Sequence, residues 1–133
     1  MPATVLVVDD EEATVDIVRR NLELSGFRVR QAVDATQALA QAAREQPDLI
    51  LLDVMIRHLD GWSVLERLQE DTTTSSIPVL LVTARTMPAD QLRGYNCGAV
   101  GFISKPFSAD DLMAKVHDVL ADARLRQGHA RFG

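Results

Sequence analysis

Apolar runs alternate with helix-like patterns five times along this chain. Val5-Leu6-Val7-Val8 is apolar throughout, as a parallel strand covered on both faces must be. Residues 12–25 then put Val15, Val18 and Leu22 on one helix face, and Gly26 stands where a glycine stops such a helix. Phe27, Val29 and Gln31 alternate with Arg28 and Arg30, which predicts a half-exposed second strand at a sheet edge. Asp34 is placed to cap a second helix carrying Ala38, Leu39, Ala42 and Ala43, with Pro47 just beyond it. Leu49–Leu52 is a further apolar strand, and a helix over 62–70 buries Val64, Leu65 and Leu68. The polar stretch Asp71–Ser76 is a loop, and Pro78 leads into the apolar strand Val79–Val82. Pro88 suits the first turn of a fourth helix, and Ala99–Ile103 reads as the fifth strand. Ser108 and Asp111 form a capping pair for the last helix, whose apolar face is Leu112, Val116, Val119 and Leu120.

This (βα)₅ alternation predicts an α/β fold, doubly wound, with a parallel sheet, helices on both faces and right-handed crossovers. At 133 residues, without internal repeats, the chain is expected to form one domain. The hydrophobic share of 47% excludes wholesale disorder. Cys97 is the only cysteine, so no internal disulfide forms. With no basic leader before Val5 and no apolar run of membrane-spanning length, a cytoplasmic protein without membrane contact is expected.

The net charge is −5, but it is unevenly spread. Without Arg124, Arg126 and Arg131, eleven basic residues face nineteen acidic ones, leaving −8 for residues 1–123. An acidic body lacks the basic footprint of direct nucleic-acid binding. The basic end is read as a solvated helix end and frayed terminus.

Ligands of such sheets bind beyond the C-terminal strand ends. Asp9, Asp10, Glu11 and Glu12 follow the first strand, and Asp53 the third. Thr83 ends the fourth, and Lys105-Pro106 follows the fifth. Each alone has an ordinary reading as a cap, a turn or a surface charge. Together they converge on one edge. Adjacent carboxylates raise one another's proton affinity, and a divalent cation removes that penalty. An all-oxygen donor set suits Mg²⁺. A carboxylate oriented there can attack phosphorus, while the Lys105 ammonium and Thr83 hydroxyl stabilise charge on the transferred group. His58, His117 and His129 lack metal-ligand spacing, and no acyl-transfer constellation, Walker motif or GxGxxG is present.

Five motifs carry a specific resemblance: Val7-Val8-Asp9-Asp10-Glu11, Leu51-Leu52-Asp53-Val54-Met55, Asp60-Gly61, Val82-Thr83-Ala84 and Ser104-Lys105-Pro106-Phe107. Over residues 4–122 the chain resembles the receiver domain of bacterial two-component response regulators, the CheY-like family. The resemblance implies a flavodoxin-like fold with a five-stranded parallel sheet in order 2-1-3-4-5, an order the receiver CheY itself exemplifies. It implies that Asp53 accepts a phosphoryl group from a sensor histidine kinase or phosphotransfer protein. Asp10, Asp53 and the Met55 backbone carbonyl would hold Mg²⁺ (or Mn²⁺), with Asp9 acting through water. Lys105 and Thr83 would contact the phosphoryl group, Thr83 and Phe102 would form the switch pair, and the bond before Pro106 would be cis. Residues 87–97, 99–103 and 108–120 would present the change to a downstream protein target or a fused output domain. Such a protein is a signalling switch, catalysing only its own phosphoryl transfer and aspartyl-phosphate hydrolysis. Residues 123–133 would be a basic tail or the start of a linker.

The chain departs from the family pattern at several points. Arg57 stands where proline is common, read as a neutral loop substitution. Phe102 replaces the frequent tyrosine and removes a hydroxyl. Ala99-Val100-Gly101-Phe102 lacks the acidic pair of the dimerising transcription-factor branch. Met55 and Arg85 resemble the residues of slower-hydrolysing members. Trp62 is read as packing, Cys97 as a turn residue and Glu11 as a helix N-terminal charge. Two other readings stand beside the switch. A protein-interaction scaffold working without phosphorylation would ordinarily have lost part of the acid–Thr–Lys set. A flavin binder or phosphatase on this fold would need a phosphate loop after the first strand or an Asp-x-Asp motif, and neither is present.

Overall fold

A computed structural model of the chain describes residues 3–54, 61–83, 93 and 96–132, with the backbone alone for Thr83 and 124–132. Five parallel strands form one sheet: β1 (Thr4–Val8), β2 (Arg28–Ala32), β3 (Leu49–Leu52), β4 (Val79–Thr83) and β5 (Gly101–Ser104). Their spatial order is β2-β1-β3-β4-β5, as expected. Four helices are described: α1 (Glu12–Leu24), α2 (Ala35–Glu45), α3 (Gly61–Glu70) and α4 (Ala109–Phe132). Most of the fourth helix expected from Pro88 lies outside the described residues. No described helix is long and apolar enough to cross a membrane.

The apolar runs explain the sheet. Every residue of Val5–Val8 and Leu49–Leu52 is buried, because helices cover both faces of these central strands. One core cluster joins Leu6, Val8, Ile50, Leu52 and Leu81 to α2 and α3 through Ala38, Ala42, Val64, Leu65 and Leu68. The opposite cluster joins Val5, Val7, Leu49, Leu51, Leu80 and Val82 to α1 and α4 through Val15, Val18, Leu22, Leu112 and Val116. β2 lies at the edge with Arg28 and Arg30 exposed.

The helix ends follow local chemistry. Asp34 Oδ1 accepts from the Gln37 N–H at 2.8 Å, a side-chain cap of the kind commonly worth about 1 kcal/mol. At α4, the Asp111 N–H donates to Ser108 Oγ at 3.0 Å, and Asp111 Oδ2 accepts from the Ser108 N–H at 3.4 Å. Gly26 ends the α1 turn at φ +91°, which a glycine adopts without the penalty of a Cβ.

Three details differ from the sequence reading. β5 starts at Gly101 rather than Ala99, although Val100 N–H already donates to the Val79 carbonyl. Ala43 is exposed, since only Ala38 and Ala42 of α2 are buried. The basic end, read as a solvated helix end and a frayed terminus, is helical as far as Phe132.

Candidate functional site

Strand register assembles the site. Val8 pairs with Leu52, so the residues that follow, Asp9 and Asp53, leave the sheet side by side. Backbone bonds extend the ladder past both: Asp53 N–H donates to the Val8 carbonyl and Asp9 N–H to the Ala32 carbonyl, each at 3.1 Å. Thr83 pairs with Ser104, which puts Lys105 just beyond the same edge. Neighbouring strands lie about 4.8 Å apart, so a lysine leaving β5 can span β4 to reach β3.

Lys105 does so. Its Nζ donates to Asp53 Oδ2 at 2.6 Å and to Asp9 Oδ2 at 3.2 Å. The two carboxylate side chains are 8% and 5% exposed, and that of Lys105 is 21% exposed. Asp9 Oδ1 also accepts the Glu11 N–H at 2.9 Å. One ammonium thus bridges two shielded carboxylates.

The electrostatics follow from this burial. Desolvation pushes the Asp9 carboxyl above its ordinary 3.8, against the Glu11 amide and the Lys105 charge, with Asp53 adding to the rise. Burial alone would lower Lys105, but the bond and charge of Asp53, then those of Asp9, hold it above 10.5. The stability Lys105 contributes is therefore complete below 10.5 and is lost as pH rises through the higher folded value. For Asp9 the sign is opposite. The folded state holds its proton more tightly than the unfolded state, so stability falls as pH climbs from 3.8 through the raised value. At neutral pH the ionised Asp9 is a net cost. Asp9→Asn is accordingly expected to stabilise the metal-free fold by about 0.5–1 kcal/mol in urea unfolding at pH 7; an unchanged or lower midpoint would show that Asp9 carries no such cost.

Asp10 follows Asp9 in a half-exposed bend. In kind, the donors Asp9, Asp10 and Asp53 fit a hard, oxygen-loving cation. The buried Asp9, holding its proton too tightly, is a carboxylate that a cation would relieve. Among the described residues no three His, Cys, Asp or Glu side chains are gathered into a ready metal site. Lys105 supplies the bridging positive charge there instead. Met55, Arg57, His58 and Arg85 lie outside the described residues.

The Lys105–Pro106 bond is cis. Phe102 is half-buried on β5, paired in register with Leu81 and packed against the α2–α3 core. The structure thus brings Asp9 and Asp53 together on the Lys105 ammonium, with Thr83 at the same edge and Phe102 two strand positions earlier. Gly61 contributes something the pattern of apolar residues did not reveal. A Cβ there would lie 2.3 Å from Val54 Cα and 3.1 Å from the Asp53 carbonyl oxygen, so α3 begins hard against the end of β3.

Comparison with known proteins agrees with this geometry. The model of the response regulator receiver domain matches residues 5–117. The DNA-binding dual master transcriptional regulator RpaA of Synechocystis is 41% identical over 87% of this chain and 48% of its own length. NtrX from Brucella abortus superposes with a TM-score of 0.92 at 30% identity, over 100% of this chain and 30% of NtrX. The chemotaxis protein CheY4 of Vibrio cholerae gives 0.85 at 29% identity, over 90% of this chain and 99% of CheY4. The chain spans about half the length, or less, of the first curated relatives it matches.

Proposed function

The chain belongs to the response regulator receiver domain family of two-component systems, and from that premise we propose that it is a phosphorylation-activated switch with Asp53 as acceptor. The observation that carries this reading is the Lys105 ammonium bridging Asp53 and Asp9 at the C-terminal edge of the sheet. A nucleophilic carboxylate needs a fixed direction and an exit for developing charge. β3 supplies the direction, since Asp53 is held by the ladder bond to Val8. Lys105 supplies a cation already within bonding distance of the attacking group, able to follow negative charge onto the transferred oxygens. Thr83, the residue that ends β4, would contact the same oxygens through its hydroxyl.

The phosphoryl group comes from a sensor histidine kinase or phosphotransfer protein. In the transfer, Asp53 Oδ forms the new P–O bond as the donor's P–N bond breaks, leaving the neutral donor histidine after protonation. Asp10, Asp53 and the Met55 carbonyl would hold Mg²⁺ or Mn²⁺, with Asp9 acting through water, and the bound ion supplies positive charge that relieves carboxylate repulsion. Residues 4–122 form the receiver unit. Residues 123–133, helical to Phe132, lead to a tail or a linker. Phe102 and Thr83 form the switch pair, and the face of residues 87–97, 99–103 and 108–120 meets a downstream target or output domain. The working place is the cytoplasm, without direct nucleic-acid or membrane contact through this domain.

The test is phosphoryl uptake from acetyl phosphate, followed by intact mass with Mg²⁺ and with the metal chelated. A single phosphoryl adduct that needs the metal is expected. No adduct under either condition would favour the phosphorylation-independent scaffold.

A further inference from the structure

A second contact system leads away from the acceptor. Gly61, seated on Val54, is followed by Trp62. The Trp62 ring is half-buried against the cluster that includes Val64, Leu65 and Leu68. The Arg93 guanidinium lies over it, with Cζ 4.5 Å from the ring centroid. One turn later, Cys97 N–H donates to the Arg93 carbonyl at 2.9 Å, and Cys97 packs against the same cluster. Gly98 follows at φ +98°, with the Gln69 side chain so close that a Cβ would lie 2.6 Å from it. Arg93 and Gly98 are thus each held against α3, by Trp62 at the start of the helix and Gln69 near its finish.

We propose that the Arg93–Trp62 contact is a latch that holds Arg93, and with it Cys97 and Gly98, on α3 while Asp53 is unphosphorylated and opens on phosphorylation. The inference rests on the reading of Asp53 as acceptor. The linkage is short and stiff. Phosphorylation adds roughly −1.5 to −2 charges beside the buried Asp9 and changes what Lys105 must bridge. Movement at Asp53 and Val54 is passed to Gly61, because that approach has no slack, and so to Trp62. A cation–π contact is lost beyond about 6 Å. A contact present only in the arrangement where Lys105 bridges Asp53 favours that arrangement by its own strength. Arg93 acts through Trp62 and is a positioning residue.

The test uses beryllofluoride with Mg²⁺ as the phosphoryl mimic, its affinity measured by calorimetry. Arg93→Ala is expected to bind about 2–5-fold more tightly than wild type, the ratio that an exposed cation–π contact supports. Arg93→Lys keeps a cation over the ring and should stay near wild type. Trp62 is the only tryptophan, so its emission should change on saturation in wild type and not in Arg93→Ala. Unchanged or weaker binding by Arg93→Ala, or the same emission change in both proteins, would overturn the latch alone. Wild type that binds no beryllofluoride would overturn the acceptor reading together with it.

Discussion

Replacing Lys105 with methionine is expected to cost about 2–3 kcal/mol of stability at neutral pH and to slow phosphoryl uptake by about 10²-fold. Methionine keeps most of the stem's volume and removes the charge. Two carboxylates that are 5% and 8% exposed would then face each other without the ammonium that bridges them at 3.2 and 2.6 Å. Removing one partner of a fully buried pair costs about 3–5 kcal/mol; the 21% exposure of the Lys105 side chain lets water take up part of that loss. The deficit should depend on pH with a definite sign. Without the lysine, the raised proton affinity of Asp9 rises further, and its stability cost grows as pH increases through that raised value. Urea unfolding should therefore separate variant from wild type more at about pH 7 than at about pH 4. Equal separation at both would mean that the loss is one of packing, not of charge.

Gly61→Ala is expected to destabilise the fold by about 3 kcal/mol, the upper part of the range for overpacking. The added methyl carbon would lie 2.3 Å from Val54 Cα, where real carbons do not approach, and backbone cannot rotate aside as a side chain does. Either α3 or the end of β3 must move. Because the same methyl would also sit 3.1 Å from the Asp53 carbonyl oxygen, Asp53 is displaced with it. A misplacement of about 1 Å in a positioned reacting group can cost about 10²-fold in rate. Thermal unfolding and phosphoryl uptake should fall together. Wild-type stability in the variant would mean that α3 can shift at no cost.

Much of this molecule was legible in its pattern of residues. Val5–Val8, Leu49–Leu52 and Val79–Val82 are apolar at every position because they lie inside a two-sided sheet. Arg28 and Arg30 alternate with Val29 because β2 is an edge. Gly26 and Asp34 mark helix ends through local chemistry, which sequence carries directly. The start of β5 was less legible. Ala99 is buried like a strand residue, yet the ladder pairs begin at Gly101 with Leu80. Burial and pairing are separate demands, and apolar character reports only the first. The run of α4 to Phe132 has no apolar stripe to announce it, and Gly128 weakens the expectation by about 1 kcal/mol without breaking a helix.

Within the site, position along the chain foretold more than contact did. That Asp9, Asp53 and Lys105 follow parallel strands told where they would meet. The bridging of both acids by one ammonium depends on side-chain reach across β4, which no spacing encodes. Gly61 belongs to the Asp60-Gly61 motif, but its tight seat on Val54 emerges only once α3 is docked. The Arg93–Trp62 contact joins residues from separate elements, and neither side chain alone distinguishes itself from ordinary surface or packing.

Chemical trapping of the phosphoryl group tests the central assignment most directly. Wild type is incubated with acetyl phosphate and Mg²⁺, the acyl phosphate is reduced with borohydride, and the altered residue is located by peptide mass. Reduction is expected at Asp53 alone, with Asp53→Asn taking up no phosphoryl group. Trapping at another residue, or a full adduct on Asp53→Asn, would contradict Asp53 as the acceptor.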